Sequence, residues 1–156
     1  MARKETGFIP ASEETERARA AVLRQDAGSS GSKQARPRIL VVDNEQLLAD
    51  TTVEILKRFG FETRVAYDGE TALDIVKSFH PEFVLTDVLM PKMNGVELAI
   101  SVRKISPASR ILLFSGQAGI SEILEEGREQ GYEFELVAKP IHPMKLVERI
   151  KNALIR

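Results

Sequence analysis

From Arg38 onward the apolar and polar positions switch between two periods. Ile39-Leu40-Val41-Val42 is an unbroken apolar run of strand length that ends at Asp43-Asn44-Glu45. A parallel strand buried on both faces has this signature. Leu47, Leu48, Val53, Ile55, Leu56 and Phe59 then recur at helical spacing until Gly60, a residue suited to a helix stop. Phe61 to Ala66 is a second, more polar strand, expected near a sheet edge. Asp68-Gly69 opens a helix marked by Ala72, Leu73, Ile75, Val76 and Phe79, and His80-Pro81 ends it, because the residue before a proline avoids the helical region. Phe83 to Thr86 is the third strand and runs straight into Asp87. Val96, Leu98, Ala99, Val102 and Ile105 mark a helix ended near Pro107. Ile111 to Phe114 is a fourth strand leading to Ser115-Gly116. Ile120, Ile123 and Leu124 lie on a helix closing at Gly131. Phe134 to Val137 is a fifth strand, Lys139-Pro140 a turn, and Met144, Leu146, Val147, Ile150, Ala153 and Leu154 the last helix.

Strands alternating with helices imply parallel pairing and right-handed crossovers, with helices on both sheet faces. The predicted fold class is therefore α/β, a flavodoxin-like (βα)5 doubly wound parallel sheet of five strands in the order 2-1-3-4-5.

The segment before this pattern has a different composition. Gly28-Ser29-Ser30-Gly31-Ser32 has the composition of a flexible linker. Ser12-Glu13-Glu14-Thr15-Glu16 has the features of a helix start, but the apolar face of Arg17 to Leu23 is narrow, and isolated helices this short are marginal. Residues 1–36 are thus expected to be a flexible extension, with a short helix near Ser12 as the alternative, and residues 37–156 the folded domain.

Composition removes several function classes. The chain has 22 basic and 23 acidic residues, a net charge of −1, which gives no general attraction to nucleic acid or an anionic membrane. It has no cysteine, which excludes disulfides, thiolate metal sites and cysteine nucleophiles. No apolar run reaches about 18 residues and no signal-peptide core is evident, so a cytoplasmic location is expected.

The candidate chemistry lies where strands end. Strands one, three, four and five each deliver polar groups at the carboxyl edge: Asp43 with Asn44 and Glu45, Asp87, Ser115, and Lys139. Neighbouring strands are about 4.8 Å apart, so these groups converge. Two carboxylates side by side repel unless a cation intervenes, and an oxygen-rich site without His or Cys suits Mg²⁺. Each group also has a simpler reading: Asp43 or Asn44 as cap of the first helix, Ser115 as cap of the fourth, Lys139 as a solvated loop lysine. Four coincidences at one sheet edge favour a site.

In this order and spacing, Ile39-Leu40-Val41-Val42-Asp43-Asn44-Glu45, Leu85-Thr86-Asp87-Val88-Leu89-Met90-Pro91-Lys92-Met93-Asn94-Gly95, Phe114-Ser115-Gly116 and Ala138-Lys139-Pro140 resemble the receiver domain of two-component response regulators. The resemblance implies that Asp87 is a phospho-acceptor, that Asp43 and Asn44 occupy the family's acidic pair, and that the Leu89 backbone carbonyl is a further Mg²⁺ ligand. It implies that Ser115 and Lys139 contact the phosphoryl oxygens, and that the Lys139–Pro140 bond is cis. The implied partners are a sensor histidine kinase or histidine phosphotransfer protein and a downstream protein target. With no DNA-binding, cyclase or hydrolase segment after the last helix, a stand-alone receiver is expected: a signalling phospho-acceptor that assists only its own phosphorylation and dephosphorylation, not an enzyme.

Two positions depart from the family pattern. Asn44 replaces the second acid of the pair, which removes a negative charge and predicts a raised Mg²⁺ demand. Leu136 stands where the family has a switch aromatic, and it offers no hydroxyl. Two further readings stay open: on these grounds, a pseudo-receiver interaction domain that is not phosphorylated, and, because that group also uses an aspartyl nucleophile, a Ser or Thr and a Lys, a phosphohydrolase resembling the haloacid dehalogenases. Asp43-Asn44-Glu45 fits the latter poorly, because that group wants Asp-x-Asp after its first strand.

Overall fold

A computed structural model describes residues 36–116 and 120–155. The expected helix near Ser12 and the linker at Gly28 lie outside the described residues. In chain order the elements are β1 (Arg38–Val42), α1 (Gln46–Arg58), β2 (Glu62–Ala66), α2 (Gly69–Phe79), β3 (Phe83–Asp87), α3 (Gly95–Ile105), β4 (Arg110–Ser115), α4 (Ser121–Glu129), β5 (Glu135–Ala138) and α5 (Pro143–Ile155). All strand pairs are parallel and the sheet order is β2-β1-β3-β4-β5, as the alternating pattern predicts.

The pleat divides each apolar run between two cores. Ile39, Val41, Leu85, Leu112 and Phe114 meet Ala49, Val53 and Leu56 of α1 and Leu146, Val147 and Ile150 of α5. Leu40, Val42, Val84, Ile111 and Leu113 meet Ala72 and Val76 of α2 and Val96, Leu98, Ala99 and Val102 of α3. This two-sided burial is why β1, β3 and β4 carry no alternation of polar residues.

Helix ends follow local chemistry. Asp68 caps α2 by accepting the Thr71 N–H at 2.8 Å. Asn94 and Glu97 form a reciprocal capping box at the start of α3. Gly60 stands at φ 92° after α1 and donates to the Lys57 carbonyl at 3.0 Å, a left-handed stop that glycine adopts without strain.

Two expectations need correction. Leu47 and Leu48 share the helical spacing of the α1 apolar residues, yet they are 82% and 40% exposed. The stripe that meets the sheet is Ala49, Val53 and Leu56, and positions 47 and 48 fall off its face. Nor do the simpler capping readings hold. The residue that caps α1 is Glu45, without a side-chain bond, and α4 begins after Ile120, also without one.

One buried hydroxyl lacks compensation. Thr63 Oγ1, on β2, has no hydrogen-bond partner among the described residues. Thr63→Val keeps the shape and removes an unsatisfied polar atom. It is expected to raise the free energy of unfolding by about 1 kcal/mol in a denaturant titration. A destabilised variant would show that the hydroxyl is satisfied in solution.

Candidate phosphoryl-acceptor site

The carboxyl edge of the sheet holds a compact charged cluster. β1 ends one residue before Asp43, β3 ends on Asp87, and Lys139 follows the end of β5. Lys139 Nζ lies 3.0 Å from Asp43 Oδ2 and 3.6 Å from Asp87 Oδ1. The side chains of Lys139, Asp43 and Asp87 are 19%, 7% and 14% exposed, so water screens the cluster weakly. A solvated loop lysine is thereby excluded. The remaining bonds fix the acids: Asp43 Oδ1 accepts the Glu45 N–H at 3.0 Å, and Asp87 Oδ1 accepts the Val88 N–H at 3.0 Å.

The other predicted positions are near but differently placed. Ser115 is buried at the end of β4, whose Phe114 is the register partner of Asp87, and its carbonyl accepts the Lys139 N–H at 2.9 Å. The Lys139–Pro140 bond is cis. Leu89 is half-buried in the loop that leaves β3. Asn44 and Glu45 are exposed.

The β3–α3 loop is held to the strand by its backbone. Val88 N donates to the Phe114 carbonyl at 3.0 Å, which carries the β3–β4 pairing one residue past Asp87. Gly95 N donates to the Val88 carbonyl at 2.8 Å. Between them, Met93 N donates to the Pro91 carbonyl at 2.8 Å across Lys92, which stands at φ 69° in a γ-turn. Gly95 is a residue whose importance spacing does not reveal. A Cβ there would overlap the Asp87 carbonyl oxygen and lie 2.9 Å from Val88 Cα. Only the position of glycine at the first turn of a helix hints at such a close approach.

Burial raises the Asp87 carboxyl above its ordinary value of 3.8, and the Asp43 charge adds to that, against the opposing pull of Lys139. The native state therefore holds the Asp87 proton to higher pH than the unfolded chain does. The stability tied to that proton is present below the unfolded value and is lost as pH rises through the raised native one. Asp87→Asn is expected to be more stable than the parent at neutral pH, with the gap closing as pH falls through the range where Asp87 protonates. Chemical denaturation across that range reads the difference, and a gap independent of pH would contradict the shift.

The donor set suits one kind of metal. Asp43, Asp87, Asn44 and the Leu89 carbonyl offer only oxygen, and among the described residues no group of three or more His, Cys, Asp or Glu could hold a metal ion. That chemistry fits a hard cation such as Mg²⁺ that keeps several of its waters.

The fold is that of a receiver domain, and comparison with known proteins agrees. The chain matches the response regulator receiver domain family over residues 39–151 and belongs to it. It is 36% identical over 121 residues to the DNA-binding response regulator MtrA of Mycolicibacterium smegmatis, covering 78% of this chain and 52% of that protein. The chain thus spans about half the length of the curated relatives it matches. Among solved structures, a putative response regulator from Chloroflexus aurantiacus is 33% identical, with a TM-score of 0.67, covering 78% of this chain and 99% of that one. A CheY-like receiver domain protein from Methanospirillum hungatei is 27% identical with a TM-score of 0.69, covering 77% and 94%. Receiver domains are signalling modules of two-component systems and generally bind Mg²⁺ at the phosphorylation site. Among the described residues no helix is long and apolar enough to cross a membrane.

Proposed function

We propose that Asp87 accepts a phosphoryl group from a histidine kinase or histidine phosphotransfer protein and that the phosphorylated domain signals through protein contacts. The observation that carries this reading is the convergence of Asp43, Asp87 and Lys139 at the carboxyl edge of the sheet. Residues 37–156 are the receiver on this reading, and residues 1–36 an extension to it.

Asp87 Oδ2 attacks phosphorus as the bond to the donor imidazole nitrogen breaks. That bond's electron pair stays on the nitrogen, and the donor ring, already protonated at its other nitrogen, leaves as neutral imidazole. The Val88 N–H holds Oδ1. Lys139 neutralises the transferring oxygens, and the Ser115 hydroxyl donates to one of them. Mg²⁺, when bound by Asp43, Asn44, Asp87 and the Leu89 carbonyl, supplies further positive charge against those oxygens. Transfer of this type is accelerated chiefly by positioning and electrostatics. The product is an acyl phosphate that hydrolyses to restore Asp87.

A second reading, the unphosphorylated pseudo-receiver, is favoured by two observations: Asn44 is neutral and exposed, and Leu136 is 40% exposed at the expected switch position. Incubation with acetyl phosphate or phosphoramidate and Mg²⁺, followed by intact mass, separates the two. The parent chain is expected to gain one phosphoryl group and Asp87→Asn none. No gain in the parent would favour the pseudo-receiver.

A further inference from the structure

Between α1 and the start of α5 the sheet is left partly uncovered. An apolar cleft of about 220 Å³ opens there, walled by Leu48 and Ile55 of α1, Phe114 of β4, Leu146 of α5 and Ile141 just before it. Asp43 and Lys139 also line it. Leu48 is 40% exposed and its neighbour Leu47 82%, so α1 turns two leucines outward beside the opening. Small-molecule pockets start at roughly 300 Å³, so this one suits a few aliphatic side chains better than a cofactor.

The chain carries such side chains outside the described residues. Ala21, Val22 and Leu23 stand between Arg19 and Arg24, and the stretch from Arg17 to Arg24 includes no acid. Glu45, Asp50 and Glu54, exposed at the start and along the first turns of α1, offer the opposite charge. Whether the segment reaches the cleft is a matter of length. Residues 24–37 join Leu23 to Arg38, at the far end of the strand whose Val41 and Val42 line the cleft. From Arg38 to Asp43 the chain rises about 17 Å. A Gly-Ser-type tether of that residue count has an r.m.s. length of about 21 Å. Effective concentration peaks where tether and span match, on the order of millimolar, so even a small contact is populated. Phe8 and Ile9 are also apolar, but they lie about twice as far along the chain, where the tether overshoots the span.

We infer that Ala21, Val22 and Leu23 dock in the α1–α5 cleft of their own chain and cover the flank of the Asp43–Lys139 pair. Docking needs only the cleft and the tether, so it stands whether or not Asp87 is phosphorylated.

The chain has no cysteine, so Gln25→Cys provides one attachment point for a nitroxide spin label. In the full chain with isotope-labelled methyl groups, the signals of Leu48, Ile55 and Ile141 are expected to be lost to paramagnetic broadening. Those of Leu98 and Val102, in the core on the other face of the sheet, should be kept. Leu23→Asp lies outside the folded domain and should restore the lost signals. Leu48→Asp, at an exposed position, should restore those of Ile55 and Ile141. Loss that survives Leu23→Asp, equal loss on both faces of the sheet, or no loss at all would overturn the inference.

A second copy of the chain is the rival occupant. Spin-labelled chain without isotope is therefore mixed with isotope-labelled chain without the spin label, and no signal loss is expected. Loss at Ile55 and Ile141 in the mixture would place the segment in a neighbour's cleft and overturn docking within one chain.

Discussion

Gly95→Ala is expected to lower the free energy of unfolding by about 3 kcal/mol, the upper end of what overpacking usually costs. The added Cβ would meet backbone on both sides: the Asp87 carbonyl, whose carbon would be 2.9 Å away, and Val88 Cα at 2.9 Å. No side chain can rotate aside. Relief requires moving the first turn of α3 away from the end of β3, which breaks the Gly95 N–H bond to the Val88 carbonyl at 2.8 Å. The same movement shifts Asp87, so phosphoryl acceptance should fall together with stability. Gly69 is the internal control. A Cβ there would be 2.5 Å from Met93 Sδ, which can move, and 2.9 Å from Met93 Cβ, which yields only if its loop backbone shifts. Gly69→Ala should therefore cost less than Gly95→Ala, because a loop residue rather than the end of a core strand has to give, about 1–2 kcal/mol. Urea titrations with unchanged slopes check both values. Equal costs for the two variants would show that the approach of α3 to Asp87 is looser than described.

Lys139→Ala is expected to slow phosphoryl acceptance by roughly a hundredfold, the loss typical of removing one preorganised charge at a transition state. The ammonium lies between Asp43 and Asp87, at 3.0 and 3.6 Å. Without it the two acids face each other, and the incoming phosphoryl oxygens meet negative charge on both sides. Lys139→Arg should restore only part of the rate. A planar guanidinium needs more room than an ammonium and directs its donors in a fixed fork. Labelling rates from a small-molecule donor at fixed Mg²⁺ make the comparison. A Lys139→Ala rate within about threefold of the parent would contradict the electrostatic role.

The fold was legible in the sequence because a parallel sheet buries β1, β3 and β4 on both faces. That burial demands unbroken apolar runs such as Ile39 to Val42. The helix stops were legible for a local reason, since Gly60 and Gly131 adopt φ values of 92° and 91°. Leu47 and Leu48 misled because apolar character at helical spacing does not say which residues form the stripe that meets the sheet. The site positions could be named from strand ends, but their pairing could not. Lys139 and Asp43 are 96 residues apart, and the preference of the lysine for Asp43 over Asp87 depends on side-chain reach across β1, β3 and the loop after β5. The close packing of Gly95 on the Asp87 carbonyl was hidden for a similar reason: it is set by how α3 enters, not by any local motif.

The phospho-acceptor reading makes one residue-specific chemical claim, and borohydride trapping tests it. An acyl phosphate is reduced to the primary alcohol, so a phosphorylated aspartate becomes homoserine and can be located by peptide mass spectrometry. After treatment with phosphoramidate and Mg²⁺, homoserine is expected at position 87 and nowhere else, and its yield should fall when Mg²⁺ is chelated. Homoserine at Asp43 or another acid, or no conversion at Asp87 at saturating Mg²⁺, would contradict the account.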